Sequence, residues 1–128
     1  MIDHIGIAIR SLSKSIKTWE MVTGRKADKI VEVKSQAVKV AFFGTKDGKI
    51  ELLEALNEKS PIKKFLDKNG EGIHHIAIKT ENLNSMIEKL RKAGKEIADP
   101  FIGAEGAPVT FIHPKYTNGV LIELVEVK

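Results

Sequence analysis

The chain has 128 residues and a mass of 14.2 kDa, which suits one domain and not two. Hydrophobic residues make up 42% and charged residues 30%, a composition that excludes a disordered chain, and no apolar run reaches the roughly 18 residues of a membrane-spanning helix. The formal charge is only +4, scattered along the chain, and aromatic residues are 5%, so no basic groove with stacking rings for nucleic acid emerges and a small anionic molecule suits the balance better.

Cysteine is absent, which removes disulfide frameworks, thiolate catalysis and cysteine-type zinc sites together. A strand-like alternation begins at Ile2 and leaves no room for a signal peptide, so a cytoplasmic protein is expected.

In chain order, the first element is a strand that puts His4, Gly6 and Ala8 on one face and Ile5, Ile7 and Ile9 on the other. Leu12, Ile16, Trp19 and Val22 then form one face of an amphipathic helix, which Gly24 ends. Strands are expected over residues 29–34, 37–44 and 49–55, with Asp47-Gly48 turning between the last two. Ser60 as N-cap and Pro61 at the first position open a short helix that Gly70 and Gly72 bound. A strand through His74 to Ile78 follows, then a helix on Leu83, Ile87, Leu90 and Ala93 with Gly94 behind it. Strands over 95–98, 108–113 and 119–127 complete the chain.

These elements repeat. A shift of 71 residues carries His4 onto His75, Ile5 onto Ile76, Ile7 onto Ile78, and the four apolar positions of the first helix onto those of the last. A shift of 72 carries Ile50-Glu51-Leu52 onto Ile122-Glu123-Leu124 and Glu54 onto Glu126. The chain therefore reads as an α+β fold of two βαβββ modules forming a cleft-shaped mixed sheet. Module one spans about residues 1–56, a connecting short helix about 57–72, and module two about 73–128. One half would bury little core alone, so both are expected to share a single domain.

The isoleucine face of each opening strand is expected to meet the helix, leaving the histidine face small and open. A pseudo-twofold axis between the modules would make His4 and His75 mates, and Glu51 and Glu123 likewise. Two imidazoles and two carboxylates then suit a divalent ion such as Co, Mn, Ni, Zn or Fe, with positions left for water or substrate. One strand histidine alone is ordinarily structural; the doubled placement is what points to metal. His74 has the opposite parity from His75 and is assigned a supporting or structural role. His113 reads as a cap or loop-packing residue, Trp19 as core, and the lysines of 59–68 as a solvated helix face.

Several stretches together, in order and spacing, resemble a known family. They are Asp3-His4-Ile5-Gly6-Ile7-Ala8-Ile9, Ile50-Glu51-Leu52-Leu53, Ser60-Pro61-Ile62 through Phe65, Gly72-Ile73-His74-His75-Ile76-Ala77, Phe111-Ile112-His113-Pro114-Lys115 and Gly119-Val120-Leu121-Ile122-Glu123-Leu124. The family is the vicinal oxygen chelate (glyoxalase/bleomycin resistance/dioxygenase) superfamily and, within it, the methylmalonyl-CoA epimerases.

The resemblance implies 1,1-proton transfer between the (2R) and (2S) forms of an acyl-CoA substrate, one divalent metal ion (Co, Mn, Ni, Zn or Mg) and a homodimer. By matching position, His4, Glu51, His75 and Glu123 would hold the metal, and Glu123 would also serve as one catalytic base. The opposing base of the family is an acidic residue just before a Gln; here Gln36 matches the Gln and Ser35 stands where the acid would be. Ser35 and Gln36 are thus expected at the substrate. The second proton-transfer group stays open between another acid such as Glu32 or Glu105, a water held by Ser35 and Gln36, and a relative acting on another substrate. The alternative readings are another metalloenzyme of the superfamily, such as a glyoxalase-type lyase, or a non-catalytic small-molecule-binding protein.

Overall fold

The computed structural model describes residues 1–127; Lys128, where the expected second module ends, lies outside the described residues. In order the elements are β1 (Ile2–Ala8), α1 (Leu12–Thr23), β2 (Lys29–Val33), β3 (Val38–Phe43), β4 (Lys49–Ala55), α2 (Pro61–Asn69), β5 (Gly72–Thr80), α3 (Leu83–Lys92), β6 (Phe101–Ile102), β7 (Pro108–Ile112) and β8 (Ile122–Glu126). The βαβββ order occurs twice with α2 between, as the internal repeat requires. Two compact units result, one from His4–His74 and the other from Met1–Asp3 with the chain from His75 onward. No helix among the described residues is long and apolar enough to cross a membrane.

In the first unit the strand order is β2-β3-β4-β1, with β1 parallel to β4 and the other neighbours antiparallel. Alternation along these strands separates two faces. On one face Ile9, Leu12, Ala41, Phe43 and Leu52 form a core, against which Ile7, Ile16 and Trp19 pack. This is the isoleucine face meeting α1. Val22 does not join it: one residue before the helix end, it is 72% exposed. Gly24 ends the helix at φ 71°, where its N–H donates to the Glu20 carbonyl. Ser60 caps α2 by accepting from Ile62 N at 3.2 Å. On the outer side of α2 Lys63 bonds Asp67, and that hydrogen bond raises the lysine pKa, as befits a solvated helix face.

The second unit repeats the plan in the order β5-β8-β7-β6. Met1 belongs here because its carbonyl accepts from Lys79 N at 2.9 Å. Leu83, Ile87, Ile97, Ile112 and Leu124 form its core, with Ile78 and Leu90 packed on it. The strand expected over 95–98 is not formed. The Ile97 carbonyl instead accepts from the Arg91 guanidinium, at 2.7 Å from Nη2, and the Ala98 carbonyl accepts from Thr110 Oγ1 at 3.0 Å. These backbone groups are satisfied by side chains, so the strand forms two residues beyond, as the short edge β6.

The repeat-matched glutamates Glu54 and Glu126 do the same work in both units. Ser11 makes no side-chain cap on α1; Leu12 N donates instead to Glu54 Oε2 at 2.8 Å. Leu83 N, at the start of α3, donates to Glu126 Oε1 at 2.9 Å. A carboxylate there satisfies an amide that the helix leaves unbonded and faces the positive end of its dipole. Glu54→Ala is therefore expected to destabilise the protein by about 1 kcal/mol, read as a lowered urea midpoint with unchanged slope.

Candidate metal centre

In the first unit His4 stands on β1 opposite Lys49, and Gly6 stands opposite Glu51 on β4. The parallel register sets the imidazole and the carboxylate diagonally on one face, two residues apart along the strands. His4 Nδ1 lies 3.1 Å from Glu51 Oε2, and both residues are buried, 5% and 3% exposed. The contact between the two atoms does not have the geometry of a hydrogen bond. Gly6, directly opposite the carboxylate, has no side chain to fill the space.

The second unit builds the same pair. Ala77 stands opposite Glu123 on β8, and His75 lies two residues before it on β5. His75 Nε2 is 3.1 Å from Glu123 Oε1. Ala77 is again small and fully buried. Phe111 pairs with Glu123 in register and meets the His75 ring edge-on at 5.8 Å, which fixes the imidazole plane. Each pair belongs to buried sets of histidine and carboxylate able to hold a metal ion.

The histidine faces, expected to be open, are closed. His4 and His75 are each 5% exposed, and Ala8 and Ala77 are fully buried. Burial strengthens the reading of His4, Glu51 and His75 as ligands, because a carboxylate and an imidazole removed from water need a compensating partner; the Glu123 side chain keeps 12% exposure.

Ser35 and Gln36 fall on a single 3-10 turn between β2 and β3 that Ala37 closes at φ 54°. Ser35 is exposed and Gln36 half-buried. The neighbouring register row is Val33, Val38 and Ala55, four residues along β4 from the Glu51 row. Glu32 pairs with Lys39 and Glu54, on the face opposite Glu51, and Glu105 is exposed in the β6–β7 loop. His74 packs edge-on against Phe65 of α2 at 5.0 Å, a structural role. His113 caps the turn after β7, its Nδ1 accepting from Lys115 N at 3.0 Å.

Two lysines on the Glu51 face were not singled out from the sequence. Lys49 is 8% exposed and stands opposite His4. Lys29 opens β2 opposite Phe42, which stands opposite Glu51. Their signal is parity: both share the phase of Glu51 once the strand pairings are known.

The profile of the Glyoxalase/Bleomycin resistance protein/Dioxygenase superfamily matches residues 3–111. The mitochondrial methylmalonyl-CoA epimerase of Dictyostelium discoideum is 39% identical over 128 residues, covering 98% of this chain and 77% of that protein. The ethylmalonyl-CoA/methylmalonyl-CoA epimerase of Cereibacter sphaeroides is 37% identical over 130 residues, covering 98% of this chain and 97% of its own. A solved variant of Streptomyces coelicolor methylmalonyl-CoA epimerase, in complex with 2-nitronate-propionyl-CoA, matches with a TM-score of 0.91 at 34% identity, covering 98% of this chain and 93% of that one. The chain belongs to the Glyoxalase/Bleomycin resistance protein/Dioxygenase superfamily and, within it, to the family of the methylmalonyl-CoA epimerases.

Proposed function

We propose that this chain epimerises methylmalonyl-CoA at C2 by 1,1-proton transfer. The observation that carries the reading is the histidine–glutamate pair, built in the same register in each unit with 3.1 Å between the nitrogen and the carboxylate oxygen. Two imidazole nitrogens and two carboxylate oxygens fit one divalent ion, and His4, Glu51, His75 and Glu123 are the residues that would hold it. Such an ion, when bound, supplies Lewis acidity that favours negative charge on the substrate oxygens.

The C2 hydrogen of the substrate lies between a thioester carbonyl and a carboxylate, and its loss leaves an enolate. Glu123 has Oε1 against the His75 imidazole; its other oxygen, Oε2, takes the proton from one side of C2. The relatives support the substrate class: one acts on ethylmalonyl-CoA and methylmalonyl-CoA, and another is complexed with a propionyl-CoA nitronate.

The test is NMR of each methylmalonyl-CoA epimer in D₂O with the protein and Co(II). Deuterium entering C2 with loss of stereochemical purity is expected. Exchange with neither epimer despite bound metal would move the reading to another substrate of the superfamily, such as that of a glyoxalase-type lyase. The proposal includes the two units acting as one domain and a homodimer working in the cytoplasm; light scattering should give close to twice 14.2 kDa.

A further inference from the structure

The two units each set a phenyl ring directly opposite the glutamate of the pair, and the two rings differ in how far they are covered. In the first unit Phe42 stands opposite Glu51 and is 1% exposed. In the second unit Phe111 stands opposite Glu123 on β7 and is only half-buried. The open ring thus belongs to the glutamate to which proton transfer is assigned. On the other side of Glu123, Ala77 is fully buried and offers only a methyl group. Val109 and Val125, further along the same face, are buried with Ala77 in one cluster.

The Phe111 ring is held from two sides. The His75 imidazole meets it edge-on at 5.8 Å and 89°, and Phe101 stacks on it at 6.1 Å and 26°. Phe101 comes from the edge strand β6 and is itself 40% exposed. Rings packed in these geometries resist being turned aside, so together they make a fixed apolar wall next to Glu123.

A carboxylate must come within about 3 Å of the atom whose proton it takes. Side chains directly opposite on antiparallel strands start about 5 Å apart. A substrate carbon within reach of Glu123 is therefore also within reach of the Phe111 ring. Of the four substituents on C2, the hydrogen goes to Glu123. The thioester and the carboxylate end in oxygens, for which a phenyl ring has no donor. The alkyl group is the one that gains from apolar contact. In the planar enolate it lies in the plane of the two carbonyl carbons, so one wall serves both epimers.

We propose that Phe111, backed by Phe101, sets the size of the alkyl group accepted on C2, an inference that rests on the epimerase reading. A methyl group fits against the ring, and each added methylene meets a wall that does not yield. Phe111 moves no proton; it selects among malonyl thioesters by the bulk of their C2 substituent.

The experiment follows deuterium entry at C2 of methylmalonyl-CoA and ethylmalonyl-CoA by NMR in D₂O, with bound metal measured. It compares wild type, Phe111→Leu, Phe111→Ala and Phe101→Ala. The readout is the ratio of the two kcat/KM values, which a general loss of folded protein or of His75 alignment does not move. Wild type should prefer the methyl substrate by about 10-fold or more, as one methylene does in an apolar pocket. Both Phe111 variants should shift the ratio toward the ethyl substrate by about 10-fold. Phe101→Ala keeps the His75 contact and should shift it the same way by a smaller factor; it decides the matter if the Phe111 variants do not fold. A ratio unchanged in the active variants would overturn the role, as would a wild type that takes both substrates equally well. A wild-type protein that exchanges neither substrate would overturn the epimerase reading itself, and the wall with it.

Discussion

Glu123→Gln should abolish epimerisation, with exchange of the C2 hydrogen in D₂O falling by about 1,000-fold or more. The amide keeps the shape of the side chain beside His75 and cannot take up a proton. It also removes one of the two negative charges in the proposed donor set. Circular dichroism should stay native, because Gln fits the same place between Ala77 and Phe111 on the β5, β8 and β7 strands. Exchange retained at the wild-type rate in a folded, metal-loaded variant would remove Glu123 from the chemistry. The contrast with Glu126→Gln is informative. That residue lies three positions on, facing the helix, and bonds the Leu83 amide; its replacement should lower stability and leave the exchange rate nearly intact.

The second large effect is expected from the metal. Treatment with a chelator should abolish epimerisation, and added Co(II) or Mn(II) should restore it. Titration of the stripped protein should give one ion per chain, since the two pairs are proposed to act on the same ion. Two ions per chain would mean that each His–Glu pair works separately, and would overturn the shared centre. His4→Ala and His75→Ala should each weaken metal affinity by more than about 100-fold, beyond the loss usual for groups that only support a ligand. Equal effects are expected, because the two imidazoles sit in equivalent registers and are equally buried. A large effect from only one would break the equivalence on which the four-residue assignment rests.

Some of this was legible from the residues because it depends on short-range periodicity. The two-residue period of a strand puts His4 with Gly6 and His75 with Ala77, whatever the rest of the chain does. The helical spacing of Leu12, Ile16 and Trp19 made one apolar face, and those residues pack on the strands as expected. Turn chemistry is local too: Gly24, Ser60 and the short range of the His113 cap could be read without a fold. The internal repeat extended that local information, by marking Glu51 and Glu123 as equivalent before any pairing was known.

What lay beyond reach were features set by partners far along the chain. The repeat matched Glu54 with Glu126 and gave them no role, since the amides they bond are 42 and 43 residues away. The strand expected over 95–98 was lost to Arg91 and Thr110, side chains whose approach no local pattern announces. The burial of the histidine faces followed from packing and not from their composition. The register of β2 on β3 sets Lys29 in the row of Glu51, which no local pattern gives. By itself the sequence determined the two modules and which side chains each strand presents together, because those follow from backbone periods within a few residues. Only the tertiary structure decided which strands lie side by side and in what register, because that is set by packing between segments distant in the chain, and it is what seats each histidine 3.1 Å from its glutamate.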